Sequence, residues 1–415
     1  MNRLKNDRIN KTPKILEKET KGITLIALVI TIVVLLILAG AVIATLNGND
    51  NIIKNANTAV GKYNEKANEE QSVLNTLEEK LREYTNGGRS NPTTPEEPGT
   101  PPTVDSNGVA TKPTTIKPDK NSNLQIVIPA GFAPAILQTG KTQSLPGQDG
   151  SVKNKMPASQ WNNITAEDIN KGIVVVDADG NEFVWIPITD ASKFARSAFG
   201  KTLAATSTEN AYWEDTTTTE YTNMVTSVTN NKGFYVARYE ASANSDSSKA
   251  QSKRGATTWN ISQTDAITKA ANYNSALHSH LMYGIEWDSI LNWLKGNATI
   301  SSSTSGETKT MELADIQDNS YSWGNYANST GNASTNSGSK QTTGTSEYWK
   351  ANNIYDLAGN VFEWTQEKWS TGTRRAFRGG CYYDNSGGSY PAANRSYHDA
   401  SYAIFYIGFR ASFYL

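Results

Sequence analysis

Arg378-Gly379-Gly380-Cys381-Tyr382-Tyr383-Asp384 opens, and Tyr402-Ala403-Ile404-Phe405-Tyr406-Ile407-Gly408-Phe409-Arg410 closes, a segment that reads unlike the rest of the chain. The 46 residues from Ser370 to Leu415 contain no Lys, Glu, Gln, Met or Trp, although these five types supply 75 of the 415 residues. Between the two markers stand Tyr382, Tyr383, Tyr390, Tyr397, Tyr402 and Tyr406, six of the chain's nineteen tyrosines. Tyr mixed with Ser, Gly and Asn is the composition of antibody paratopes, where rigid amphipathic rings give contact area at low entropy cost. The segment points to binding rather than to catalysis.

The rest of the composition narrows the setting. A net charge of −1 lacks the cationic excess that phosphate neutralisation needs, which excludes a nucleic-acid partner. One cysteine, Cys381, rules out an internal disulfide framework and any cysteine-based metal cluster. Residues 124–415 are long enough to be held instead by a core and by Trp and Tyr packing.

Residues 1–22 form a basic leader, with Arg3, Lys5, Arg8, Lys11, Lys14, Lys18 and Lys21 against Asp7, Glu17 and Glu19. Ile23 to Leu46 then runs uncharged, about 36 Å as a helix and enough to cross a bilayer. The basic flank places the N-terminus in the cytoplasm and the remainder outside the cell membrane. A secretory signal peptide fits less well, because the run is too long and no small-residue cleavage site follows it. Lys21-Gly22-Ile23-Thr24-Leu25-Ile26-Ala27-Leu28-Val29-Ile30 resembles the class III leader of type IV pilins. The resemblance implies cleavage between Gly22 and Ile23, methylation of Ile23, and other pilin-like subunits as partners. Where that family carries a glutamate at the fifth mature position this chain has Ala27, which points to a minor pilin or a simple anchor.

Ile53, Ala56, Val60, Tyr63, Ala67, Leu74, Leu77, Leu81 and Tyr84 recur at three- and four-residue spacing, predicting an amphipathic stalk helix over 47–85. Asn86-Gly87-Gly88 ends it. Residues 86–123 hold seven of the fourteen prolines among Thr, Glu and Ser, the composition of a disordered, semi-extended spacer. From residue 124 the chain reads as an α+β domain. β-type runs fall at 124–128, 172–176, 182–186 and 233–238, and two helices are expected, at 262–276 and 287–294.

Six landmarks in that domain occur in a telling order. They are Phe183-Val184-Trp185-Ile186-Pro187; Gly233-Phe234-Tyr235-Val236-Ala237-Arg238-Tyr239-Glu240; Gly284-Ile285-Glu286-Trp287-Asp288; Asn353-Ile354-Tyr355-Asp356-Leu357-Ala358-Gly359-Asn360-Val361-Phe362-Glu363-Trp364; and the two markers quoted first. In that order they resemble the formylglycine-generating, or sulfatase-modifying-factor, family, and the resemblance implies a C-type-lectin-like fold. The family's oxidase chemistry needs two nearby cysteines, and Cys381 stands alone. Related iron enzymes need a histidine triad on a helical domain, whereas this chain has only His278, His280 and His398. His278 and His280 read as surface or packing residues, with a metal pair on a strand as the alternative. Gly140-Lys141-Thr142 and Gly200-Lys201-Thr202 lack the first glycine of a phosphate loop. Glu286 and Asp288 read as a helix start around a buried Trp287. Asn360 and Glu363 are candidate oxygen ligands for Ca²⁺; the alternative is that they hydrogen-bond the loop beneath Trp364. No cofactor is required.

The segment from Arg-Gly-Gly to Gly-Phe-Arg also resembles the variable region of diversity-generating retroelement proteins, in which asparagine codons are randomised at adenines. AAC randomised in this way becomes NNC, which encodes every residue type except Lys, Glu, Gln, Met and Trp. The run Tyr397 to Tyr406 resembles a randomised block and Asn394-Arg395 retained framework. The candidate variable face comprises Cys381, Tyr383, Asp384, Ser396, His398, Asp399, Ala400, Ser401, Tyr402, Ala403, Ile404, Phe405 and Tyr406, within a segment of about 378–410. Its expected partner is a protein or a cell or phage surface. The alternatives are a formylglycine-type oxidoreductase and a structural minor pilin.

Overall fold

The computed structural model describes residues 102–119, 122–139, 150–304, 306–385 and 390–415, within a compact unit spanning Glu96–Leu415. The leader with its Gly22–Ile23 junction, the apolar run at 23–46 and the stalk at 47–85 lie outside the described residues. Among the described residues no helix is long and apolar enough to cross a membrane.

The spacer expected over 86–123 gives way to folded domain earlier than composition suggested. Strand β1 (Thr114–Ile116) pairs antiparallel with β2 (Ile126–Ile128) and buries Val109, Ala110 and Ile116 beside it. Pro113 and Pro118 flank β1 rather than interrupt it, so proline removes no ladder hydrogen bond. The proline count had masked the β-branched residues between them.

The main sheet has seven strands, all antiparallel. It is built from β3 (Phe132–Leu137), β4 (Val152–Lys155), β5 (Val174–Asp177), β6 (Glu182–Pro187), a later strand at Gly233–Ala237, and two more at Ser279–Leu281 and Ala411–Phe413. Period-two alternation divides β6 between two cores. Val184 and Ile186 face one side with Met224, Trp287, Ile290 and Leu291, whereas Phe183 and Trp185 face the other with Ile126, Ile128, Phe132 and Phe413. A second sheet carries the C-terminal segment. Its strands are β7 (Tyr212–Trp213), then, after β8 (Gly233–Ala237) and β9 (Ser279–Leu281) of the main sheet, β10 (Phe362–Trp369), β11 (Arg374–Arg378), β12 (Arg395–Asp399) and β13 (Ile407–Phe409). The chain then closes with β14 (Ala411–Phe413), seated between β8 and β9 in the main sheet. β12 is an edge strand, and β13 runs parallel to β10.

Three helices of nine or more residues are described: α1 (Thr219–Asn231), α2 (Gln263–Ala271) and α3 (Gly284–Leu294). The last two answer the expected helices, with Ser262 capping α2. Helix α1 was not foreseen, because its Thr and Asn are weak helix formers. A Thr218 side-chain cap and burial of Tyr221, Met224 and Val228, spaced three and four apart, hold it in place.

Long loops without disulfides are fastened by indoles. Trp161, Trp185, Trp287, Trp323, Trp349 and Trp364 are fully buried, and each donates its Nε1–H to a backbone carbonyl, of Met156, Gln125, Ala392, Asp315, Ala333 and Ile261 respectively. A buried carbonyl left without its donor costs about 1–3 kcal/mol. Trp287→Phe strands the Ala392 carbonyl and shrinks the side chain. It should destabilise the domain by roughly 2–4 kcal/mol, read as a shift in the chemical-denaturation midpoint.

Candidate binding face

Both ends of the C-terminal segment are anchored by buried guanidiniums. Arg378, at the end of β11, donates to Asp288 Oδ1 (2.9 Å), to Glu367 Oε2 (3.4 Å) and to the carbonyls of Ala393 and Asn394. Arg395, opposite it in β12, donates to Asp288 Oδ2 (2.5 Å) and Glu367 Oε1 (2.8 Å). Arg196 joins from a loop, pairing with Glu214, Asp288 and Glu367. Three guanidiniums thus face three carboxylates where α3, β10, β11 and β12 meet. Gly380 lets the chain turn beside this cluster: its φ is +80°, and a Cβ would stand 2.3 Å from the Tyr390 carbonyl.

The second marker is held in the same way. Arg410 is fully buried, donating to both oxygens of Glu363 (2.6 and 3.0 Å) and to the carbonyls of Ala237 and Tyr355. Asn360 Nδ2 donates to Glu240 (2.5 Å), and its Oδ1 accepts from Asn325 and from the Gln341 N–H. The oxygens of the candidate calcium ligands Asn360 and Glu363 accept hydrogen bonds from protein donors. Asp356 adds a third carboxylate near Arg410.

Outside these anchors the segment is exposed and aromatic. Phe405 is 60% exposed, Tyr383 42%, Tyr402 40% and Tyr397 38%; beyond the segment only Ile267 and Leu313 are large, apolar and exposed among the described residues. Alternation in β12 turns Tyr397 to the face opposite His398; Tyr383, Tyr402 and Phe405 stand on turns. On one face His398 stacks on Tyr402 (3.7 Å); in the turns, Tyr383 and Phe405 each meet Tyr406 edge-on. On the other, Tyr397 stacks flat on Trp369 (4.6 Å) with the Arg374 guanidinium 5.1 Å away. There it lines an open groove of about 740 Å³ with Lys201, Tyr212 and Asn394.

Not every residue expected on the variable face lies on it. Cys381 is fully buried, and Asp384 is buried with its carboxylate accepting the Cys381 N–H (2.8 Å). Both are corrections: this turn faces inward because Asp384 caps it, which composition does not reveal. Ser401, Tyr402, Ala403 and Phe405 are exposed, and Ser396, His398, Asp399, Ala400, Ile404 and Tyr406 half-buried. Tyr397, outside the candidate set, is exposed; alternation in β12 relative to Ser396 and His398 was the signal for it. His280 takes the packing role expected of it. His280 is buried, with one ring nitrogen bonded to the His278 carbonyl and the other facing Glu286 and Ser412. Glu286 also caps α3 at the Tyr283 N–H, while Asp288 reaches into the guanidinium cluster.

With the fold and this geometry in place, comparison gives the class. Residues 208–412 match the sulfatase-modifying factor enzyme 1-like domain. No curated protein matches the chain. Among solved structures it is similar to CarF (17% identity, 44% of this chain and 87% of that one, TM-score 0.30). It is similar also to PvdO from Pseudomonas aeruginosa (14%, 57% and 95%, TM-score 0.33). A third is Treponema denticola variable protein 1 (13%, 73% and 99%, TM-score 0.23).

The carboxylates around Arg410 set a pH dependence. Burial pushes Asp356 up to about 7, with Glu363 adding to the effect and the Gly344 N–H and Arg410 opposing it. Burial also raises Glu240 and Glu363, and in the separate Arg196 cluster it takes Glu214 to about 7. A carboxyl raised above its ordinary value of about 4 holds its proton better when folded. Its contribution is full below about pH 4 and is lost as pH rises through about 7. Asp356 sits at φ +56°, which Asn tolerates. Asp356→Asn should therefore be near-neutral at pH 4 and stabilising at pH 8, flattening the melting-temperature profile between them.

Proposed function

We propose that this chain is a surface ligand-binding protein, anchored in the cell membrane or associated with a pilus through its N-terminal segments. It displays a lectin-like, non-catalytic domain whose C-terminal segment is diversified. The observation carrying this reading is the concentration of exposed rings, Tyr383, Tyr397, Tyr402 and Phe405, between the buried anchors Arg378 and Arg410. Exposed aromatics on a fixed frame are what binding hot spots are made of. The ligand is a protein or a cell or phage surface, and no cofactor is needed for it.

The non-catalytic part rests on Cys381. It has no second cysteine to work with, and burial pushes its thiol pKa up, away from the reactive thiolate. Incubation with copper and a cysteine-bearing peptide should leave the peptide unoxidised; its oxidation would restore the oxidoreductase reading.

Diversification has a direct test in gene copies from sister isolates. Substitutions should fall on Tyr383, Ser396 and positions 398–406, never introducing Lys, Glu, Gln, Met or Trp, with Arg378, Arg395 and Arg410 unchanged. Substitutions spread evenly over the domain would refute it. In the protein, Tyr383→Ala, Tyr402→Ala and Phe405→Ala should each alter stability by no more than about 0.5 kcal/mol, as exposed sites do. Together they should cost at least about tenfold in affinity for a surface ligand that the parent retains. A large drop in melting temperature would instead assign these rings to the core.

A further inference from the structure

Three residues stand directly opposite one another across the second sheet. Lys368 of β10 is in register with Arg375 of β11, and Arg375 with His398 of β12. Partners in register share a face, so the row ends at the stack of His398 on Tyr402. Like charges placed opposite each other across strands destabilise a sheet, and here an ammonium neighbours a guanidinium. The arrangement is unfavourable until an anion completes it.

The protein supplies such an anion to Lys368 alone. Its Nζ lies 3.4 Å from Asp215 and 4.5 Å above the Trp213 ring. Arg375 is half-buried and forms no salt bridge among the described residues. Of its three guanidinium nitrogens only Nη1 donates within them, to the Arg374 carbonyl (3.2 Å). Asp399 attracts it, but that carboxylate already accepts from Thr373 Oγ1 (2.6 Å) and from the Ser401 N–H and hydroxyl (3.0 and 2.7 Å). The His398 Nδ1 is taken by the Asp399 N–H. Burial accordingly lowers the Arg375 pKa, with Asp399 opposing.

This setting suits one carboxylate better than a polyanion. A guanidinium fork matches a carboxylate bidentately. A phosphate polymer tracking the row would meet Asp215 beside Lys368 and Asp399 beside His398, and both would repel it. The exposed Tyr402 ring at the end of the row adds the rigid contact surface that protein partners fill.

We propose that Arg375 is a constant acid-recognition point beside segment 378–410, taking the side-chain carboxylate of a Glu or Asp on a protein ligand while the exposed rings contact the residues around it. Its role depends on that segment being a binding face, and it fixes the chemistry of the face's partner.

Calorimetric titration of the full chain with the peptide acetyl-Tyr-Glu-Tyr-amide should give saturable binding. Acetyl-Tyr-Gln-Tyr-amide, which lacks only the charge, should bind at least about tenfold more weakly. Arg375→Gln should bind the two peptides equally and melt no lower than the parent, because it relieves the contact with Lys368. Arg375→Lys should keep part of the preference. Tyr402→Ala should weaken both peptides at least about threefold and keep the preference. Equal binding of the two peptides by the parent, or no saturable binding of the Glu peptide, would overturn the proposal. So would a preference that survives Arg375→Gln, a large drop in that variant's melting temperature, or inorganic polyphosphate binding more tightly than the Glu peptide. Undiminished peptide binding by Tyr402→Ala would refute the binding face itself, and the proposal with it.

Discussion

The pairing of Arg378 and Arg395 with Asp288 and Glu367 is the constraint on which the C-terminal half depends. All four side chains are fully buried, and they belong to four different elements. Moving such charges out of water costs several kcal/mol per ion, so the cluster is weak evidence for net stability. What it supplies is geometry. A bidentate guanidinium accepts few arrangements of its carboxylates, and removing one partner would leave a buried charge uncompensated. The two strands that bracket the exposed segment are therefore held in one register against α3. Arg410 does the same at the far end through Glu363.

This arrangement separates the residues that fold the segment from those that show on it. Arg378, Gly380, Ala392, Ala393, Arg395, Ile407 and Phe409 face inward and meet either the clusters or the cores. Tyr383, Tyr402 and Phe405 make their ring contacts with other residues of the segment, Tyr382, His398 and Tyr406. Exchanging the second set changes the surface chemistry without altering what the first set needs. A rigid frame also lowers the ordering cost of binding, and here rigidity comes without disulfides, from six indoles that each pin a backbone carbonyl.

Much of this was legible in the sequence, and the failures have physical causes. The markers at 378–380 and 408–410 were visible because arginine beside glycine is uncommon in a core, and both arginines proved to be buried anchors. Strands 182–187 and 233–237 were readable as continuous apolar runs. Helix α1 was not, since its Thr-rich surface hides the buried Tyr221, Met224 and Val228 from a propensity reading. Strand β1 was lost in the proline count of its neighbourhood. Cys381 and Asp384 were placed on the face because composition carries no direction, and only the turn geometry shows Asp384 reaching back to the Cys381 N–H.

The burial of Cys381 bears on function as well as on packing. In a chain whose residues 208–412 match the sulfatase-modifying factor enzyme 1-like domain, a cysteine next to the Arg-Gly-Gly turn invites a catalytic reading. Here the thiol belongs to a separate apolar cluster with Phe362, Trp364, Phe377 and Phe409. A thiol in that setting acts as a small hydrophobe. The same turn carries Tyr383 outward two residues later, into the ring cluster with Phe405 and Tyr406. One short stretch of backbone thus closes the core on one side and presents a contact residue on the other. The frame can keep that division only while Gly380 permits the turn and Arg378 holds its base.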